Sequence, residues 1–225
     1  MLKYIINYKQ MEYEYIEYHD YWFYRDTIFI KHDFNKDFTD INFEHLYNKI
    51  IFSESENINH LIDKYYTHKQ NIKEINYTYR SSFNRNVDNL PNNITHIIFG
   101  CYFNKTVDNL PITLSHLIFG ENFNQNVDSL PNSLTHISFN LYFNQPVDNL
   151  PNSLIKIKFY NHINCPYTHE INCLPDSIEI IILDVDYCLP IDKFPENLKI
   201  ILCSASFIKN NKIKSGVKIV ESKPY

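Results

Sequence analysis

The chain says the same thing every 20 residues between Ser82 and Phe159. Phe83-Asn84, Phe103-Asn104, Phe123-Asn124 and Phe143-Asn144 open the copies, and Leu90-Pro91, Leu110-Pro111, Leu130-Pro131 and Leu150-Pro151 punctuate them. A period this short cannot hold a strand, two turns and a helix of ordinary length, about 11 residues. It predicts a mainly β solenoid in which each coil buries its apolar side only by stacking on the next.

Within one copy the apolar columns are Ile94, Ile97, Phe99, Phe103, Val107 and Leu110, and they recur as Leu114, Leu117, Phe119, Phe123, Val127 and Leu130. Ile97 and Phe99 are spaced as two inward residues of a short strand. Phe103 to Leu110, with polar residues between its anchors, reads as an extended return arm, leaving loops or 3₁₀ turns opposite the strands. Neighbouring coils should then pair as parallel strands about 4.8 Å apart. A structural ladder follows from the same repetition. Asn84, Asn104, Asn124, Asn144 and Asn164 stand at one position of successive coils, where an amide can satisfy backbone groups at buried turns.

Residues 1–27, rich in Tyr and acid, are expected to cap the N-terminal end or, using Tyr side chains and Trp22, to form a recognition element. Residues 28–75 read as degenerate repeats: Ile28 and Ile30 precede Phe34-Asn35, and Ile50 and Phe52 precede Glu56-Asn57. A short helix is expected within Ile58 to Lys69. Tyr77 and Tyr79 open the regular array, so that 76–207 is the main solenoid. Beyond Phe159, Ile163-Asn164 is on schedule and Leu174-Pro175 is four residues late. Residues 208–225 form the C-terminal cap, with Val217 to Val220 at the closing edge and lysines keeping it soluble. About nine coils are expected, wound right-handed.

The signatures Phe123-Asn124 and Leu130-Pro131-x-x-Leu134-x-x-Ile137-x-Phe139 resemble the FNIP repeat, over residues 83–159 and more weakly to about 207. That family is related to leucine-rich repeats and is abundant in social amoebae and giant viruses. The resemblance implies a leucine-rich-repeat-like solenoid that binds a protein partner. In some members an N-terminal F-box joins the repeats to a ubiquitin ligase. It therefore also implies, as an alternative, a substrate receptor docking ubiquitin-ligase components through residues 1–70, although no Leu-Pro-led helical F-box pattern is visible there. A structural repeat protein without a specific ligand is the third reading.

If Ile97 and Phe99 point inward, the outward column of the strand face reads His96, His116, His136, Lys156, Ile180, Ile200, and its neighbour Ile98, Ile118, Ser138, Lys158, Ile182, Leu202. Outward apolar residues on a sheet call for a cover. The candidate binding surface is accordingly His96, Ile98, His116, Ile118, His136, Ser138, Lys156 and Lys158. Three imidazoles in a flat ladder point in parallel, whereas zinc demands tetrahedral convergence, so repetition rather than metal accounts for them. The file Asp88, Asp108, Asp128 and Asp148 is expected to form Asx turns. The metal candidate is the inserted loop, where His162, Cys165, His169 and Cys173 only loosely match zinc spacing.

Composition narrows the class further. A formal charge of −5 over 225 residues gives no general attraction to nucleic acid or anionic membrane. Neither a transmembrane run nor a signal peptide is visible, which points to the cytoplasm, the host's if the chain is viral. Five cysteines outside a secretory context should be reduced thiols. Nucleophile elbow, Walker loop and dinucleotide turn are all lacking. The sequence thus predicts a non-enzymatic binding module with no cofactor.

Overall fold

Alternation of burial makes the strands. In β5 (His96–Ile98), β6 (His116–Ile118) and β7 (His136–Phe139) the central Ile97, Leu117 and Ile137 are buried while their neighbours are half-buried. The same pattern holds in β8 (Lys156–Phe159), β9 (Ile180–Leu183) and β10 (Ile200–Cys203). This is the two-residue periodicity of a sheet with one face on a core. The computed structural model describes residues 16–17, 21–31, 33–35, 47–52, 81–160, 167–183 and 187–222.

Before β5 come β1 (Ile16–Glu17), β2 (Tyr21–Tyr24), β3 (Thr27–Ile30) and β4 (Lys49–Phe52); after β10 comes β11 (Lys218–Glu221). All eleven lie in one sheet in chain order. From β3 to β11 each pair is parallel and in register, as His96 beside His116 beside His136 shows. At the N-terminal edge β1, β2 and β3 pair antiparallel; β1 and β2 fall within residues 1–27, read as the cap, while β3 opens the stretch read as degenerate repeats. The fold is a mainly β solenoid of about 20-residue coils with short parallel strands. Among the described residues one short helix, α1 (Ala205–Asn210), follows β10; Ser204 caps it by accepting from the Phe207 amide.

Two aromatic files fill the core. Phe99, Phe119 and Phe139 end the strands, and Phe103, Phe123 and Phe143 begin the return arms, each pair stacked within its coil at 3.8, 3.6 and 3.9 Å. Between coils Phe83, Phe103, Phe123 and Phe143 stack at about 6 Å. Each such contact adds about 0.5–1.5 kcal/mol to the burial of the rings. The Asn ladder runs beside them. Asn84 Oδ1 accepts the Asn104 amide, Asn104 that of Asn124, and Asn124 that of Asn144, each at 2.9 Å. The bonds thus join coils rather than closing a local turn, and the four residues are half-buried rather than buried.

Two insertions fall elsewhere than the spacing predicts. Strand β4 pairs directly with β5, so Ile50 and Phe52 hold the place beside Ile97 and Phe99 that the spacing gives to Tyr77 and Tyr79. Phe83, not a residue near Glu56-Asn57, stacks on Phe52 at 4.4 Å, and Asn84 donates its amide to Asn35 Oδ1. The long insertion therefore lies inside the coil that β4 begins. Glu56, Asn57, Tyr77, Tyr79 and the helix predicted within 58–69 lie outside the described residues. The second correction concerns Ile163-Asn164. Tyr167 takes the Phe position, stacked 6.0 Å from Phe143, and the Thr168 amide donates to Asn144 Oδ1. The four extra residues thus precede the rung, and Asn164 lies outside the described residues.

Coils approach closely just after the strand. A Cβ on Gly120 would fall within the van der Waals radius of the Gly100 carbonyl in the preceding coil. Gly120→Ala should therefore cost about 1–3 kcal/mol as an overpacked contact, and Phe123→Ala about 3–5 kcal/mol as a cavity. Urea unfolding midpoints of the two variants check both values and their order.

Candidate functional site

The outward strand columns are set by register alone, and the structure lengthens them. Because β4 abuts β5, the first column reads Thr27, Lys49, His96, His116, His136, Lys156, Ile180, Ile200, Lys218. The second reads Phe29, Ile51, Ile98, Ile118, Ser138, Lys158, Ile182, Leu202, Val220. Phe29 and Ile51 are buried, whereas Ile98, Ile118, Ile182 and Leu202 are half-buried. The second column thus becomes accessible at β5, and the face from there carries all eight residues of the predicted surface.

The imidazoles of His96, His116 and His136 stack face to face at 4.2 Å, within 10° of parallel. A hydroxyl precedes each one. Thr95, Ser115 and Thr135 lie 2.8, 2.9 and 2.9 Å from the Nδ1 atoms. Each hydroxyl also lies within hydrogen-bond distance of a carbonyl of the preceding coil: Thr95 of Asn48, Ser115 of Thr95, Thr135 of Ser115. The hydroxyl thus stands between that carbonyl and an imidazole Nδ1 and ties each ring to the coil before it.

The same packing keeps the ladder neutral. Burial, then the neighbouring His96 and His136, then Lys156 and Lys49, pull His116 down to about 4. His96 is lowered by burial, Lys49 and His136, with Asp26 opposing; His136 is lowered by burial and Lys156. Lys49 itself is held 3.0 Å from Asp26. Parallel rings do not converge on a common point, so the ladder presents a row of imidazole edges rather than a chelate.

The other predicted features take different places. His169 Nε2 lies 3.1 Å from the Asn144 carbonyl, Cys173 is exposed, and His162 and Cys165 lie outside the described residues. Among the described residues no three His, Cys, Asp or Glu side chains gather to hold a metal. The Asx turns run opposite to expectation: Asn86 and Asn126 accept the amides of Asp88 and Asp128, so the Asn two residues earlier makes each turn. Sequence reasoning missed the hydroxyl column, although its recurrence before every His was the available signal. It also missed Lys49, which joins the ladder only through the β4–β5 pairing.

The model of the FNIP Repeat family matches residues 83–122, 103–142, 123–162 and 143–186. A search of curated proteins finds no match. Among solved structures the chain is similar to CroV588, described as a novel circular LRR protein, at 25% identity and a TM-score of 0.53. The likeness covers 89% of this chain and 34% of that one, so this chain spans about a third of its length. Among the described residues no helix is long and apolar enough to cross a membrane.

A neutral ladder makes stability depend on acid. The unfolded chain protonates His116 near 6.5, the folded chain only near 4. Between those values the unfolded state binds more protons, so stability falls as pH falls, and this contribution is exhausted below about 4. Urea midpoints measured across that range should decline in the wild type and decline less steeply in His116→Gln.

Proposed function

We propose that this chain, whose residues 83–186 are FNIP repeats carried on a leucine-rich-repeat-like solenoid scaffold, binds a protein partner through the strand face of β5 to β10. The observation that carries the reading is the half-buried state of Ile98, Ile118, Ile180, Ile182, Ile200 and Leu202 on an outward sheet face. Apolar side chains in two groups, Ile98 with Ile118 and Ile180 and Ile182 with Ile200 and Leu202, parted by Ser138, Lys156 and Lys158 and flanked by the three histidines, combine apolar and polar surface as an interface does. The rigid register supports the same reading, since a partner meets side chains already ordered by the coils beneath them.

Docking of ubiquitin-ligase components through residues 1–70 has less to stand on. The described part of that region supplies β1 to β4, which are strands of the same sheet. Their paired backbone groups help build the solenoid. A purely structural repeat would leave the strand face free of any ligand, and the same experiment separates it from the binding module.

Replacing His116 and Ile118 together by Glu places two carboxylates on the face without touching the core. The double variant should keep the wild-type circular dichroism spectrum and lose the proteins that wild type captures from lysate, with affinity reduced at least about tenfold. Capture unchanged by the double substitution would move the site off the strand face.

A further inference from the structure

Charge is distributed unevenly over this molecule. The chain as a whole carries 26 acidic and 21 basic residues, yet the two outward columns from β3 to β11 contain no Asp or Glu at all. They contain Lys49, Lys156, Lys158 and Lys218 together with the three imidazoles. The lysines of β8 adjoin His136 and Ser138 on one side and Ile180 and Ile182 on the other. One strand spacing, about 4.8 Å, therefore separates a basic rung from a polar one and from an apolar one.

We propose that the boundary formed by His136, Lys156, Lys158, Ile180 and Ile182 receives an acidic segment of the partner, in which carboxylates neighbour apolar side chains, and that binding takes up a proton at the histidine ladder. The inference rests on the strand-face reading above and specifies the chemistry of what that face recognises. The apolar side chains of the segment lie over Ile180 and Ile182, and its carboxylates reach Lys156 and Lys158. A carboxylate is an acceptor only, and its negative charge beside His136 favours the imidazolium form. The proton comes from solvent and stays on the ring, making the imidazole a cation that donates to the carboxylate.

The charged groups around the ladder set the sign of this linkage. Lys49 and Lys156 at its two ends oppose protonation of the free protein, Asp26 favours it only at the Lys49 end, and Glu179 at the entry to β9 is engaged by Lys199 at 2.6 Å. An incoming carboxylate at the Lys156 end offsets the opposing charge there, so affinity must rise as pH falls.

Short synthetic peptides of alternating Glu and Leu, Ser and Leu, or Lys and Leu, titrated into the full chain by fluorescence anisotropy, test the charge assignment. The Glu peptide should bind tightest, weaken with added salt, and strengthen several-fold from about pH 7.5 to about pH 6. Lys156→Gln should weaken it about fivefold, His136→Gln should flatten its pH dependence, and Lys105→Gln, on the return arm, should do neither. Calorimetry in buffers of different ionisation enthalpy should show net proton uptake with the Glu peptide. Equal binding of all three peptides, abolished by the His116→Glu, Ile118→Glu pair, would overturn the acidic assignment while leaving the strand face as a binding surface. Binding of the Glu peptide that survives both that pair and Lys156→Gln would overturn both readings.

Discussion

Every feature of this solenoid depends on one requirement, that the backbone hydrogen bonds of each strand be completed by the coil before and the coil after. A three- or four-residue strand has no stability alone. Parallel pairing at a common register converts a column of identical residues in sequence into a file of touching side chains in space. The aromatic files, the Asn ladder and the stacked imidazoles are three results of that conversion, differing only in the chemistry of the residue repeated. Phe gives a stacked core, Asn a chain of amide bonds, and His a row of neutral rings.

What the sequence makes legible is therefore whatever is periodic. The inward positions of Ile97, Phe99, Phe103, Val107 and Leu110 and the outward position of His96 follow from spacing two within a strand and 20 between strands, and the buried and half-buried states agree. Insertions are less legible, for a physical reason. Tyr77 and Tyr79 keep phase with Ile97 and Phe99, but phase in sequence does not compel pairing in space. Ile50 and Phe52 offer the same alternation and occupy the strand beside β5 instead. Asn164 illustrates the same limit from the side of chemistry. Its residue type matches the ladder, yet the rung after Asn144 needs only a main-chain amide, which Thr168 supplies.

The binding surface was half legible. Outward columns could be read from strand periodicity, whereas the hydroxyls that hold the imidazoles could not, because they also reach a carbonyl one coil away. Ser115 stands between the Thr95 carbonyl and Nδ1 of His116. Long-range register thus reaches the seat of each ring. It also explains how a chain of net negative charge can present a face without carboxylates: the columns are separate files, and each keeps its own composition.

The Asn ladder has a direction, each side chain accepting from the coil that follows. An accepting coil asks of its successor nothing but an amide hydrogen, which every residue except proline possesses. Successive coils are consequently interchangeable parts. Duplication of a 20-residue unit by unequal recombination would insert a coil that satisfies both neighbours at once, and loss of one would let the flanking coils rejoin. A lineage could lengthen or shorten such an array in single steps while its binding columns changed independently, one rung at a time.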